Sequence, residues 1–230
     1  MSYRTGPQPR SGKSFTCYST CTFALDGFDF SPGTGVLADA IGTNNGTSGS
    51  GLTYNNAGYF TVDGNQTSRF AYTSFTPGNG SWTMSAWARG TLPSGTYGRL
   101  ISNSSGGPVT SAFGLNTSGM SYHHYADIGS GATWNATYGN TNLSDNTWYH
   151  CVWANGTGGN NTMIMYLNGV ADCSQFTSTT SNGGPIDVWG SNWSGTFVGD
   201  MACMQYYHGT TLSADQILRM YNAQRKRFGT

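Results

Sequence analysis

From Phe15 onward the chain is a succession of short runs in which apolar residues alternate with polar ones or dominate outright, each closed by a cluster of Gly, Asn and Ser. The clearest runs are Cys21–Phe28, Gly58–Asp63, Ser81–Arg89, Gly98–Asn103, Ala112–Asn116, Met120–Ala126, Thr147–Asn155, Thr162–Asn168, Ile186–Gly190 and Phe197–Tyr207. In one of them Trp82, Met84, Ala86 and Ala88 fall on a single face; in another Trp148, His150, Val152 and Ala154 do so. A period of two marks strands whose faces differ. So many short strands punctuated by turn residues predict an all-β fold of two packed antiparallel sheets.

One segment departs from that period. Leu212-Ser-Ala-Asp-Gln-Ile-Leu-Arg-Met-Tyr begins with Ser213 in capping position and Gln216 three residues on, which completes a capping box. Leu212 and Ile217 suit a hydrophobic staple, and Asp215 suits the positive end of the helix dipole. The pattern predicts one C-terminal helix over about residues 213–226. Residues 1–14 carry Pro, Gly, Ser and positive charge without an apolar period and read as an extended basic arm. The Gly/Asn/Ser stretches at 42–51, 104–107, 156–161 and 181–184 read as loop tips. The expected organisation is a basic arm, 1–14, and one sandwich domain, 15–230, that includes the helix.

Composition sharpens this. Apolar residues make up 37% of the chain, aromatic residues 14% and charged residues only 9%, with 34 Gly. That mixture suits strands joined by tight turns, where Gly and Asn accept positive φ. Net charge is zero but unevenly placed. Arg4, Arg10 and Lys13 lie in the first thirteen residues, and Arg219, Arg225, Lys226 and Arg227 in the last twelve; all ten Asp lie between, beside Arg69, Arg89 and Arg99. Two basic ends on an acidic body suggest surfaces with different tasks. The same acidic body argues against nucleic acid as a partner. The opening residues have no apolar core of the kind a secretory signal needs, and no stretch approaches the roughly 20 apolar residues of a membrane-spanning helix. Five Cys at irregular spacing fit no zinc pattern and are expected mostly as reduced, buried thiols, with a Cys17–Cys21 or Cys151–Cys173 bridge left open.

Seven further pieces, in order, carry a resemblance. Trp148-Tyr-His-Cys-Val, Met165-Tyr-Leu-Asn-Gly-Val, Phe197-Val-Gly-Asp-Met and Leu212-Ser-Ala-Asp-Gln-Ile follow one another, preceded by Leu25-Asp-Gly, Ala38-Asp-Ala-Ile-Gly-Thr-Asn-Asn-Gly and Ser81-Trp-Thr-Met-Ser-Ala-Trp. Over roughly residues 20–228 this succession resembles the laminin-G-like, concanavalin-A-like jelly-roll family. The ending Tyr221-Asn-Ala-Gln-Arg-Lys-Arg-Phe-Gly resembles the close of such domains in tailed-phage virion proteins. The first resemblance implies a concanavalin-A-like sandwich and a structural calcium ion, held by Asp26, Asp39 and Asp200 with oxygens from Asn44 and Asn45; oxygen-only ligands suit that ion. The second implies a virion surface protein, assembled in the host cytoplasm, whose partners are other virion proteins in a homo-oligomer or lattice.

Function is then narrowed residue by residue. Retaining glycoside hydrolysis needs two carboxyl groups about 5–5.5 Å apart. The chain has no Glu and no Asp-x-Asp; Asp26-x-x-Asp29 would place its pair on opposite strand faces. His123 and His124 are adjacent and cannot simply chelate one ion, and His150 reads as a hydrogen-bonded core residue. Trp134, Tyr138, Trp189 and Trp193 are the aromatic side chains expected in loops, where a ring could stack on a sugar. Arg4, Arg10, Lys13, Arg225, Lys226 and Arg227 are expected to dock onto an acidic partner. The expectation is a non-catalytic virion structural or decoration protein with glycan-binding loops. A free carbohydrate-binding lectin is the alternative, and a glycan hydrolase a remote one.

Overall fold

Strands with one apolar face bury it by pairing into sheets that pack face to face, and the computed structural model shows that arrangement. It describes residues 3–5, 16–65, 69–75, 80–91, 98–102, 111–128, 131–156, 162–174, 176–177, 186–190 and 197–230. In chain order the strands are β1 (Tyr3–Thr5), β2 (Thr16–Tyr18), β3 (Phe23–Ser31), β4 (Val36–Asp39), β5 (Gly46–Ser48), β6 (Thr53–Asn55), β7 (Tyr59–Asp63), β8 (Arg69–Phe75), β9 (Trp82–Thr91) and β10 (Gly98–Ser102). There follow β11 (Ser111–Asn116), β12 (Gly119–Ile128), β13 (Gly131–Tyr138), β14 (Tyr149–Asn155), β15 (Thr162–Leu167), β16 (Val170–Ala171), β17 (Phe176–Thr177), β18 (Ile186–Gly190) and β19 (Val198–His208). Helix α1 (Ala214–Gln224) and a 3-10 turn at Arg225–Arg227 close the chain.

Every described pairing is antiparallel. One sheet runs β15–β14–β9–β19, and the far side of β19 is shared by β7 at Val198–Met201 and β3 at Met204–Tyr206. The other runs β5–β8–β18–β10–β11–β12–β13. β4 joins them at one side by pairing with both β3 and β5. The main core draws on both layers: Phe60, Met84, Trp153 and Met165 from the first, Phe70, Ile101, Phe113 and Trp189 from the second. The Asn168-Gly169 turn between β15 and β16 has φ of 50° and 84°, the pair of positive values that a two-residue hairpin of this twist requires.

The sequence leads one to expect unlike faces on β9 and β14, yet both strands are buried on both sides. Met84, Ala86 and Ala88 face the sandwich core. On the outer side Trp87 and Trp148 lie under the C-terminal residues, and Val152 and Ala154 lie under α1 with Leu212, Ile217 and Met220. A helix laid across the middle of a sheet thus converts its central strands into fully interior ones. The capping box forms as the spacing predicts: the Ser213 hydroxyl accepts from the Gln216 N–H and the Gln216 side chain accepts from the Ser213 N–H. Among the described residues no helix is long and apolar enough to cross a membrane. Part of the expected extended arm is a strand, since β1 pairs with β2 from Tyr3 to Thr5.

Candidate functional site

Leaving β4, residues 39–45 turn sharply, and Asp39 organises the turn. Its Oδ1 accepts from the backbone N–H groups of Ala24 (3.0 Å) and Ile41 (3.0 Å), its Oδ2 from that of Asn44 (3.1 Å), and its own N–H donates to Asn45 Oδ1 (2.8 Å). Gly42 sits so close that a Cβ there would lie 2.9 Å from Asp39 Oδ2. Across from this loop β19 ends at Tyr206 and His208. The Tyr206 hydroxyl is 3.1 Å from His208 Nδ1, and the His208 N–H donates to Thr22 Oγ1 at 2.8 Å. Phe23 packs on Tyr206 with ring centres 5.6 Å apart.

Between loop and strand end lies a cavity of about 450 Å³. Its lining combines two interior rings, Phe23 and Tyr206, with Thr22, Thr43 and His208, which are exposed, and half-buried Asn44. Burial pushes the Tyr206 phenol well up, which keeps it a neutral hydroxyl. An apolar floor beneath a rim of hydroxyl, amide and imidazole groups suits a polyhydroxylated ligand. Asp39 and Asn44 were picked out from the sequence, but as calcium ligands. Tyr206, His208 and Thr22 were not, because only the β3–β19 pairing brings them to the Asp39 loop.

The carboxylates expected to share a calcium ion are spent separately, and the set does not fit the ion. Asp26, 3% exposed, holds Arg227 through two contacts, Nη1 to Oδ2 at 2.6 Å and Nη2 to Oδ1 at 2.9 Å. Asp200 accepts from Arg89 Nε at 2.7 Å and from the Thr61 hydroxyl at 2.5 Å. Asp39 is turned to backbone N–H groups. Among the described residues no three His, Cys or Asp side chains gather as metal ligands.

Arg227 is the reason Asp26 is occupied, and the expectation that it docks a partner is corrected: its guanidinium points inward. Besides Asp26 it donates to the Gly58 carbonyl at 2.5 Å and to Cys203 Sγ at 3.0 Å, and it lies 4.2 Å over the Phe28 ring. A bulge in β19 at Ala202–Gln205, with Cys203 at φ 50°, turns Ala202 and Cys203 to this outer side while Met201 and Met204 enter the core. Burial raises the Cys203 thiol far above its usual range, so it stays protonated and can donate to Asp26 Oδ2. The described cysteines Cys21, Cys151, Cys173 and Cys203 are free thiols, so Cys151 and Cys173 are not bridged; Cys17 falls outside that description.

Nearby Asp29 is pushed up to about 6, first by burial, then by the Asp26 charge, against the pull of Arg227. A raised carboxyl contributes stability that is complete below about pH 4 and lost as pH climbs through 6. Asp29→Asn is therefore expected to raise the melting temperature over wild type at pH 7 and to match it at pH 4. A gain at both pH values would sink that assignment.

The four aromatic candidates separate. Trp189 is fully buried in β18, its ring 6.2 Å from that of Phe60 and 6.1 Å from that of Phe70. It is a core residue and cannot stack on a sugar, because Val-Trp-Gly here is an interior strand and not a loop. Tyr138, 38% exposed, ends β13. Trp134, also on β13, pairs with Tyr125 of β12, its side chain outside what is described, as are those of His123 and His124. Trp193 lies outside the described residues. Of the basic set, Arg225 and Lys226 are exposed and Arg225 lies 5.8 Å over Tyr221. Arg4 stands on β1 opposite Cys17, with its side chain undescribed, and Arg10 and Lys13 lie outside the described residues. His150 is in the core as expected, but neither ring nitrogen has a hydrogen-bond partner.

Compared with known proteins, residues 56–218 match the model of the concanavalin A-like lectin/glucanases superfamily. No curated protein matches the chain. Among solved structures it is similar to the binding domain of Paraclostridial Mosquitocidal Protein 1, at 13% identity and a TM-score of 0.64 over 88% of this chain and 52% of that one. The binding domain of Botulinum neurotoxin serotype G gives 14% and 0.60 over 89% and 51%. Domain 4 of AbnA, an extracellular arabinanase of Geobacillus stearothermophilus solved with arabinotriose, gives 15% and 0.60 over 87% and 98%. The chain spans about half the length of the first two, and at these identities the likeness is one of fold.

Proposed function

This chain belongs to the concanavalin A-like lectin/glucanases superfamily, and from that premise we propose that it is a non-catalytic, lectin-like module that binds glycan and decorates a virion surface. The observation that carries the glycan reading is the pocket between the Asp39 loop and the end of β19. A sugar presents an edge of hydroxyls, for which the pocket rim offers Thr22, Thr43, Asn44 and His208, while Phe23 and Tyr206, 2% and 1% exposed, back that rim from the core. Binding without catalysis is supported by the chemistry of the lining. Its one carboxylate, Asp39, accepts three backbone N–H bonds, a role that fixes a loop and does not move a proton. The solved domain bound to arabinotriose has this fold over nearly its whole length, which favours the same reading.

The virion role rests on the basic ends. Exposed Arg225 and Lys226 follow the helix in the segment that resembles phage domains, and they suit an acidic partner in a lattice or a homo-oligomer. A free lectin would use the same pocket. Two measurements test the proposal. On a glycan array the wild type is expected to bind a defined set of oligosaccharides, and Asn44→Ala with His208→Ala to lose binding by about tenfold or more. Mass spectrometry of purified particles is expected to find the chain in stoichiometric amounts; its absence there, with glycan binding intact, would leave the free lectin.

A further inference from the structure

We propose that the pocket selects an uncharged sugar residue and turns away uronic and sialic acids. This rests on reading the pocket as a glycan site and adds the class of sugar.

The selectivity follows from charge. Of the residues lining the cavity, Asp39 alone among the carboxylic and strongly basic side chains is present; neither Lys nor Arg contributes. Three backbone N–H groups at the loop, those of Ala24, Ile41 and Asn44, already donate to Asp39. Arg227 and Arg89, outside the lining, are each held in an ion pair, on Asp26 and on Asp200. A carboxylated sugar would surrender its hydration, find no Lys or Arg in the lining to offset its charge, and bring a second negative charge beside Asp39. Each of these opposes binding. A neutral sugar meets no such penalty. Its hydroxyls donate and accept, as do the Thr22 and Thr43 hydroxyls and the Asn44 amide.

The test titrates the full chain at pH 8 with neutral trisaccharides chosen from the array and with the same trisaccharides ending in glucuronic or sialic acid. Binding is read by isothermal calorimetry. The acid-capped forms are expected to bind at least about tenfold more weakly, a difference near 1.4 kcal/mol. Thr43→Lys, at an exposed position and checked for an unchanged melting temperature, is expected to shrink the ratio between the two classes by at least about threefold. Equal binding of neutral and acid-capped sugars overturns the selectivity and leaves the glycan reading standing. Failure of every sugar on the array overturns both.

Discussion

Replacing Arg227 with methionine is expected to cost about 3–5 kcal/mol of stability, although the residue is the fourth from the end of the sequence. The reason is what it leaves behind. Asp26 is 3% exposed, and its remaining partners would be the Phe28 N–H at 3.0 Å and the Cys203 thiol at 3.3 Å. Neither supplies positive charge, so a buried carboxylate must either persist uncompensated or take up a proton. The Gly58 carbonyl loses a donor as well. Asp26→Leu alone should be comparably harmful, because it strands the guanidinium. The double variant, Asp26→Leu with Arg227→Met, removes both charges together and is expected to recover most of the loss, as apolar replacement of a buried pair often does. Urea unfolding midpoints for the four proteins decide it. Additive losses in the double variant would mean that the two side chains do not act as a pair.

That clamp was hidden in the sequence for a physical reason. Arg225, Lys226 and Arg227 read together as a solvated basic end, and the first two are exposed. Only the 3-10 turn after α1 rotates the third inward, and only the bulge at Cys203 opens the place it enters. The frame itself was far more legible. Cys21–Phe28, Ser81–Arg89, Thr147–Asn155 and Phe197–Tyr207 announce β3, β9, β14 and β19, because long strands with many large apolar residues carry their own signal. Strands β4, β5 and β6 span only three or four residues each, too few for a period to register. β8 and β13 are longer, yet their Thr, Ser, Ala and Asn content reads as loop. Trp189 is different: its strand, Ile186–Gly190, is legible in the sequence, but only the packing of both sheets shows that its ring lies in the interior. Asp39 and Asn44 could be picked out as a pair, but as metal ligands. Whether an Asx-rich loop binds a cation or its own backbone N–H groups depends on dihedrals that residue types do not specify.

His150 gives the second large effect, and its sign is opposite to that of Asp29. The ring is fully buried, 5.1 Å from Trp87 and 6.1 Å from Tyr221 of α1, with neither nitrogen hydrogen-bonded. Burial alone lowers it to about 3 from an ordinary 6.5. A depressed value means the folded state refuses a proton that the unfolded chain accepts. The stability held by neutral His150 is therefore complete above about pH 6.5 and is lost as pH falls toward 3, in total on the order of 5 kcal/mol. At pH 4.5 about half of it is gone, and the contact that weakens is the one fastening α1 to the sheet through Tyr221, beside the Trp87 indole N–H that donates to Gln224 at 2.6 Å. His150→Phe keeps a planar ring in the stack and removes both nitrogens. It is expected to hold or raise the unfolding free energy at pH 7 and to flatten its decline between pH 6.5 and 4.5, on the order of 2–3 kcal/mol in favour of the variant at the lower value. Denaturant titrations at a series of pH values read this directly. Parallel curves for wild type and variant would show that acid acts elsewhere and that the imidazole is indifferent to it.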